Sequence, residues 1–406
     1  MRRKVSVNEL AIGMYVAELD KPWEQSSFLF QGFVIETPED LKQLREECRH
    51  VFVDVAPPRD AHTPNAARRP MAPSASTVIT SRSAPEAVAF RNEVREVAKT
   101  QQAAGTTITR VMDDFRMGKS LDTAGTKTAV TQMVGAISHN PNSMLWLTNL
   151  REKHQRTASH CLNTAILAIA FGKHIGLNEA DLNILGQGAM LHDIGMARIA
   201  TAIVDKPGKL TEEEWQAVHK HPADGEAVLK ITRKLPEKVL EIVRMHHEHL
   251  DGKGYPDGIA GDSIPLAALI TGLVDAYDSL TTDSPYRAAV SPADALRILR
   301  LESAHMYGRE LVQEFIRCLG IYPVGSLVRC NNGALAVIMS SNAESRLKPL
   351  IMVVRDENGA DIKPRLLLNL ATMGEDLALR YGIAGNADPK AYKLNLPGII
   401  AEEAGL

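Results

Sequence analysis

The chain has 406 residues, 45% of them hydrophobic and 23% charged, with a formal net charge of −3. That length predicts roughly two or three domains with a full core, and the near-neutral charge excludes a general attraction to nucleic acid or anionic lipid. Four cysteines without Cys-x-x-Cys spacing predict free thiols in a reducing compartment. No secretory segment opens the chain and no apolar run reaches the roughly 20 residues that span a bilayer, so a soluble cytoplasmic protein is expected.

Residues 1–55 predict a small β-rich domain. Short alternating runs (Val5-Ser6-Val7, Met14-Tyr15-Val16-Ala17, Phe33-Val34-Ile35 and Val51-Phe52-Val53) surround one helix. Thr37 is its N-cap, Pro38 its first residue, and Leu41, Leu44 and Cys48 follow along it. Residues 56–85 are rich in Pro, Ala, Ser and Arg and almost free of large apolar side chains. They cannot offset the entropy of ordering and predict a flexible linker.

From 86 to 320 the periodicity is helical. Leu145, Leu147 and Leu150 precede a helix with His160, Leu167 and Phe171 on one stripe. Asn178 caps the next helix, where Leu185, Ala189 and Asp193 recur at i, i+4 and i+8, and Gly195 is expected to end it. Thr211 to Glu214 form a capping box opening the helix that leads to His219 and His221. A helix beginning near Pro265 carries Ala268, Gly272, Asp275 and Ser279 on one side, small enough for another helix or a metal to approach. Trp146 and Trp215 are expected in the core. Beyond 320, Ser326 to Val337 and Pro349 to Arg355 predict the strands of a small C-terminal β subdomain, residues 321–406. The expected fold class is mainly α, a helical domain between two small β-rich ones.

The chemistry concentrates in the helical region. His246-His247 is followed by Glu248, Asp251 and Gly254-Tyr255-Pro256; upstream lie His160, His192-Asp193 and His221, and downstream Asp275. Adjacent helical residues point about 100° apart, and a carboxylate with two oxygens can bridge two cations. Taking one or two ligands from each of several helices is how helical folds build dinuclear sites. Imidazole and carboxylate without thiolate favour Fe, Mn, Ni or Zn. Two such ions about 3.5–4 Å apart can hold a bridging water whose pKa falls from 15.7 towards about 7, poised to attack phosphorus. Burying so many titratable groups with no cation would cost several kcal/mol apiece. The isolated His174, His219 and His305 read as structural instead.

These motifs resemble the HD metal-dependent phosphohydrolase superfamily. His221, the His246-His247 pair and Gly254-Tyr255-Pro256 resemble its HD-GYP branch, over roughly residues 145–320. The resemblance implies hydrolysis of the bacterial second messenger cyclic di-GMP to pGpG or onward to GMP by a metal-bridging hydroxide, with influence on motility and biofilm. By position, His160, His192, Asp193 and Asp275 match the ligands of one metal and His221, His246 and His247 those of a second, with Asp193 bridging; His192 and Asp193 are the catalytic pair. The implied cofactors are two divalent ions, Fe or Mn ahead of Ni or Zn. The Gly-Tyr-Pro tripeptide is expected to shape the adjoining loop, and Glu248 and Asp251 to orient the histidines. Leu10 to Val16 and Phe28 to Phe33 are similar to a domain of unknown function often fused to HD-GYP proteins.

Three departures stand out. Met196 occupies the place of a family lysine that faces the substrate phosphate, and Ser284 replaces an arginine before Pro285-Tyr286-Arg287. Arg156 stands where three-metal members carry glutamate, which argues for two ions. Each lost hydrogen bond to a charged group is worth about 1.5–3 kcal/mol, roughly 10- to 100-fold in binding or rate. Arg287 is the candidate for contacting a phosphate or guanine, with Lys253, Arg198 or Lys206 as replacements for the missing cations. The alternative readings are a catalytically weakened cyclic dinucleotide receptor and an interaction protein that docks on a signalling partner such as a cyclic dinucleotide synthase. Partnership with nucleic acid or membrane is not expected; homodimerisation through helices is open.

Overall fold

Alternation of apolar and polar residues gives the N-terminal part its sheet. β1 (Arg2–Ser6), β2 (Tyr15–Leu19), β3 (Phe33–Val34) and β4 (His50–Asp54) assemble antiparallel in the order β1-β4-β2-β3. β4 is central, pairing Val51 with Val5 of β1 on one side and with Leu19 of β2 on the other, and a bulge interrupts β2 between Val16 and Glu18. Helix α1 (Pro38–Glu47) starts on the proline the sequence places there. Its Leu44 joins Val5, Val16, Leu19, Val51 and Val53 in a small buried core. In the computed structural model the described residues are 2–21, 28, 33–35, 38–54, 84–150, 156–285, 287–342, 345 and 347–404. Thr37 and the expected linker up to residue 83 lie outside them. Two compact units divide the chain, Met1–Arg82 with Ser345–Leu347, and Ser83–Glu344 with Lys348–Leu406.

The second unit is built on α5 (Arg156–His174), in which every residue from Cys161 to Gly172 is buried. A helix apolar all round belongs in an interior, and α5 is packed by α2 (Ala84–Arg116), α3 (Thr123–His139), α4 (Pro141–Leu147), α6 (Glu179–Leu191), α11 (Leu266–Leu280) and α14 (Arg309–Leu319). Phe171 of α5 and Tyr277 of α11 both meet the Phe315 ring of α14 edge-on, at 5.2 and 5.4 Å. Between α6 and α11 come the short helices α7 (Thr201–Val204), α8 (Glu212–Val218), α9 (His221–Ile231) and α10 (Glu237–Met245). After α11 come α12 (Pro292–Glu302) and α13 (Ala304–Tyr307).

The predicted N-caps at Asn178 and Thr211 hold. Asn178 Oδ1 accepts the Asp181 N–H at 3.0 Å, and Thr211 with Glu214 forms the reciprocal box that opens α8. Three expectations are corrected. Gly195 does not end α6, which stops at Leu191; it lies inside a 3-10 turn, Ile194–Arg198. Glycine is needed there because a Cβ would stand 2.0 Å from the carbonyl oxygen of His221. α8 does not reach His221, which instead opens α9. Trp146 is fully buried, but Trp215 is 47% exposed because α8 is a surface turn with no buried residue.

The C-terminal sheet runs β8-β7-β6-β5-β9, antiparallel throughout, from β5 (Leu327–Cys330), β6 (Leu335–Ser340), β7 (Leu350–Arg355), β8 (Asp361–Asn369) and β9 (Ile383–Asn386). It carries two helices that the pattern did not announce, α15 (Glu375–Tyr381) and α16 (Leu396–Ala404). The sheet lies in the same compact unit as the helices, with β6 packed on α4 and α16 on α2. The architecture is thus mainly helical with a small antiparallel sheet near each end. Among the described residues no helix is long and apolar enough to cross a membrane.

Candidate metal centre

Helix ends leave carbonyls without intrahelical partners, and three histidines use them. The Nδ1 atoms of His192, His221 and His246 each lie 2.8 Å from a carbonyl three residues back, those of Ala189, Val218 and Val243. A carbonyl only accepts, so each Nδ1 carries a proton, and each Nε2 is turned inward towards the other ligand atoms. His192 Nε2 is buried without a hydrogen-bond partner among the described residues. The Nε2 atoms of His221 and His246 face each other at 3.2 Å. A proton shared between them accounts for that distance in the metal-free chain, and a cation that displaces it would meet both lone pairs. The residues present therefore fit a metal.

Asp193, just past the end of α6, reaches both ways. Its Oδ1 is 3.1 Å from His221 Nε2, while its Oδ2 is 3.6 Å from His192 Nε2 and 3.9 Å from His160 Nε2. Two ligand sets result, Asp193 with His221, His246 and His247, and His160 with His192 and Asp275; within each, the ligand atoms lie within 4.8 Å of one another. All seven residues expected to hold metal are brought together. The side chains of Asp193, His160, Asp275 and His247 keep 15, 14, 12 and 22% exposure, whereas His192 shows none. The centre is thus partly exposed at these four side chains and fully buried at His192.

Protonation follows from these contacts. Burial opposes charge on His160, but Asp275 and Asp278 hold its imidazole well above the usual range. Burial likewise works against the Asp193 carboxylate, yet His192, His221 and His160 keep its pKa well below the ordinary value; Asp275 is lowered against burial by His160. For His246 and His247 burial and neighbouring imidazoles act together and push the rings far down, so both are neutral at pH 7. The ionised carboxylates and the neutral His246 and His247 rings suit a divalent cation, which would have to displace the proton that His160 holds.

Several parts of the site were not legible in the sequence. Asp278 is 1% exposed and accepts the His160 Nδ1–H at 2.7 Å, leaving His160 Nε2 2.8 Å from Asp275. Its only signal was the i+3 spacing from Asp275. Cys161 lies with His192 and Asp193, but burial and the Asp193 charge push its thiol up, so it stays protonated. His219 is not isolated: the Tyr255 ring stacks on it at 4.0 Å and on His247 at 4.5 Å. Tyr255 also donates its N–H to His247 O at 3.1 Å, and a Cβ at Gly254 would stand 2.4 Å from that same oxygen. The Gly-Tyr pair thereby presses an aromatic ring against His247.

Glu248 and Asp251 do not orient the histidines. The buried Glu248 carboxylate accepts the N–H groups of Asp257, Gly258 and Ile259 at 2.7, 3.1 and 2.9 Å, tying down the loop after Tyr255. Asp251 accepts the Lys253 N–H at 3.0 Å. Arg287 donates to the carbonyls of Ser279 and Leu280, closing the end of α11, and Ser284 forms the turn that carries it. Of the proposed replacement cations, Lys206 is paired with Glu214 at 2.6 Å, Arg198 lies over Phe115, and Lys253 points to solvent near Asp251.

Residues 144–311 match the HD domain family, and residues 2–126 match a domain of unknown function, DUF3391. A cyclic di-GMP phosphodiesterase of Pseudomonas aeruginosa is 30% identical over 381 residues, 92% of this chain and 90% of that one. The chain belongs to the HD-GYP family. Within it, the 3′3′-cGAMP-specific phosphodiesterase 3 of Vibrio cholerae is 40% identical over 154 residues, 38% of this chain and 33% of the relative, so the match spans a third of that protein. A solved HD-GYP-type structure from Bdellovibrio bacteriovorus overlaps 78% of this chain and 98% of its own, at 15% identity and a TM-score of 0.47. The HD domain match and the histidine–aspartate cluster together support a hydrolase that binds divalent metal.

Proposed function

We propose that the chain is a dinuclear metal phosphodiesterase that hydrolyses cyclic di-GMP to pGpG, GMP or both. The observation that carries this reading is the Asp193 carboxylate, whose two oxygens face the two separate histidine sets. His160, His192, Asp193 and Asp275 would hold one ion, and Asp193, His221, His246 and His247 the other. Fe or Mn suits these ligands first, with Ni or Zn accepted. When bound, such ions supply an acidified water and neutralise charge developing on phosphorus.

The chain's own part is to fix the ligands. The three Nδ1–H bonds to helix-end carbonyls set the tautomers, Asp278 holds His160, and Tyr255 holds the His247 ring. Arg287 secures the end of α11, which bears Asp275 and Asp278, and keeps further donors for a phosphate. Cyclic di-GMP is placed ahead of 3′3′-cGAMP because the relative that matches nearly the whole chain acts on it. In a cell, such an activity would lower second-messenger levels in the cytoplasm and shift motility and biofilm behaviour. A second reading, a receptor that binds the nucleotide without cleaving it, is favoured by Met196 in the place of the lysine.

The test is turnover. Full-length protein loaded anaerobically with Fe(II) or Mn(II) is given cyclic di-GMP, beside a His192→Ala/Asp193→Ala control, and the products are resolved by chromatography. Conversion to pGpG or GMP that disappears in the control is expected. Binding without conversion at full ion occupancy would sink the enzyme and leave the receptor.

A further inference from the structure

Met196 lines a cavity of about 500 Å³ beside the metal centre. Its apolar surface comes from Met112 of α2, from Met196 and Ile199 of the 3-10 segment, and from Val204 of α7. The remaining lining is mostly polar, and its charged groups are Arg156 at the start of α5, Asp205 at the end of α7, and Asp113 with Arg116 on α2, which pair with each other at 3.3 Å. The cavity shares walls with the metal centre. Met196 donates its N–H to the Asp193 carbonyl at 2.9 Å, and Ala158, another lining residue, precedes His160 by two positions on α5. The Arg156 guanidinium and Asp205 carboxylate are 3.9 Å apart, too far for a hydrogen bond. They form a loose ion pair, and among the described residues no hydrogen bond to either side chain is seen.

We propose that this cavity is a guanine subsite, which receives one base of the cyclic dinucleotide while its phosphate lies at the metal centre. The inference rests on the phosphodiesterase reading and adds base specificity to it. A flat purine suits the apolar floor, and the edge chemistry selects among purines. Guanine presents acceptors at O6 and N7, which a guanidinium reads in bidentate fashion, and donors at N1–H and N2–H, which a carboxylate accepts. Adenine has a donor where guanine has O6 and lacks the N2 amino group, so it would leave both Arg156 and Asp205 mispaired. The Met196 thioether adds a polarisable apolar surface for a ring.

The test compares Asp205→Asn and Arg156→Gln with the parent, all as full-length metal-loaded protein. One readout is equilibrium binding of GMP against AMP; the other is kcat/KM for cyclic di-GMP, 3′3′-cGAMP and cyclic di-AMP. The parent is expected to favour guanine in both, and each substitution to reduce that preference about 10- to 100-fold, with metal content unchanged. Both side chains are largely exposed, at 45 and 62%, so folding should not depend on them. A guanine-to-adenine ratio that neither substitution alters, with turnover intact, would overturn the subsite alone. A parent that cleaves no cyclic dinucleotide but binds GMP in an Asp205-dependent way would overturn the enzyme reading and leave the subsite standing.

Discussion

At the scale of single residues, the centre is organised by hydrogen bonds that decide which nitrogen faces inward. The seven candidate ligands could be singled out because paired His-His and His-Asp motifs have no ready structural role, and the fold brings them together. Asp278 could not, since a carboxylate three residues from a ligand looks the same in sequence whether it faces solvent or an imidazole. Its position yields a prediction. Asp278→Asn should lower metal affinity about 10- to 100-fold by loosening the His160 ring, read by titration against a competing chelator. Affinity equal to the parent's would show that Asp278 does not set that ligand. Acidity yields another. His160, and His221 through Asp193, hold protons above the usual imidazole value in the metal-free chain, while His246 and His247 do not. An incoming ion must displace those protons, so apparent affinity should rise as pH climbs through about 6.5 and beyond, with proton release. Calorimetry in buffers of different ionisation enthalpy would detect the release; an affinity flat across that range would contradict it.

At the scale of elements, close approach explains what composition alone could not. The sequence suggested that small residues on α11 admit a neighbour, and Gly272 does admit one: a Cβ there would stand 2.2 Å from His246 O. Gly272→Ala should therefore cost about 1–3 kcal/mol by overpacking and reduce metal binding by displacing His246. Gly135→Ala in α3, with nothing within 4 Å of the added carbon, is the control and should be neutral or stabilising by up to about 1 kcal/mol. Thermal denaturation of both variants distinguishes a packing constraint from a general intolerance of alanine. The His219–Tyr255–His247 stack makes a parallel case. Tyr255→Phe should keep the metal affinity because the ring remains, whereas Tyr255→Leu should lower it; equal affinities in both would mean the stack does not position His247. Caps at Asn178 and Thr211 made helix starts readable, but the break between α8 and α9 carries no Gly or Pro before His221 and was missed. α16 was missed because Pro397 and Gly398 weaken its helical pattern.

At the scale of the whole molecule, the helical class and the sheets near both ends were readable from periodicity, because periods of 3.6 and 2 are properties of single segments. Strand order and the inclusion of the C-terminal sheet in the helical unit depend on contacts between distant segments, which periodicity does not encode. The candidate metal centre draws on residues 160 to 275 across five helices, so ions that bind only the folded chain should stabilise it. At about 100 times the dissociation constant the gain is about 2.7 kcal/mol, and a chelator should lower the unfolding midpoint accordingly; an unchanged midpoint would argue against a shared centre. The most direct test of the whole is a metal titration of the apoprotein in which bound ions per chain and cyclic di-GMP hydrolysis are recorded on the same samples. The two-set geometry around Asp193 predicts that hydrolysis appears as the second ion binds. Full activity with one ion, or none with two, would contradict it.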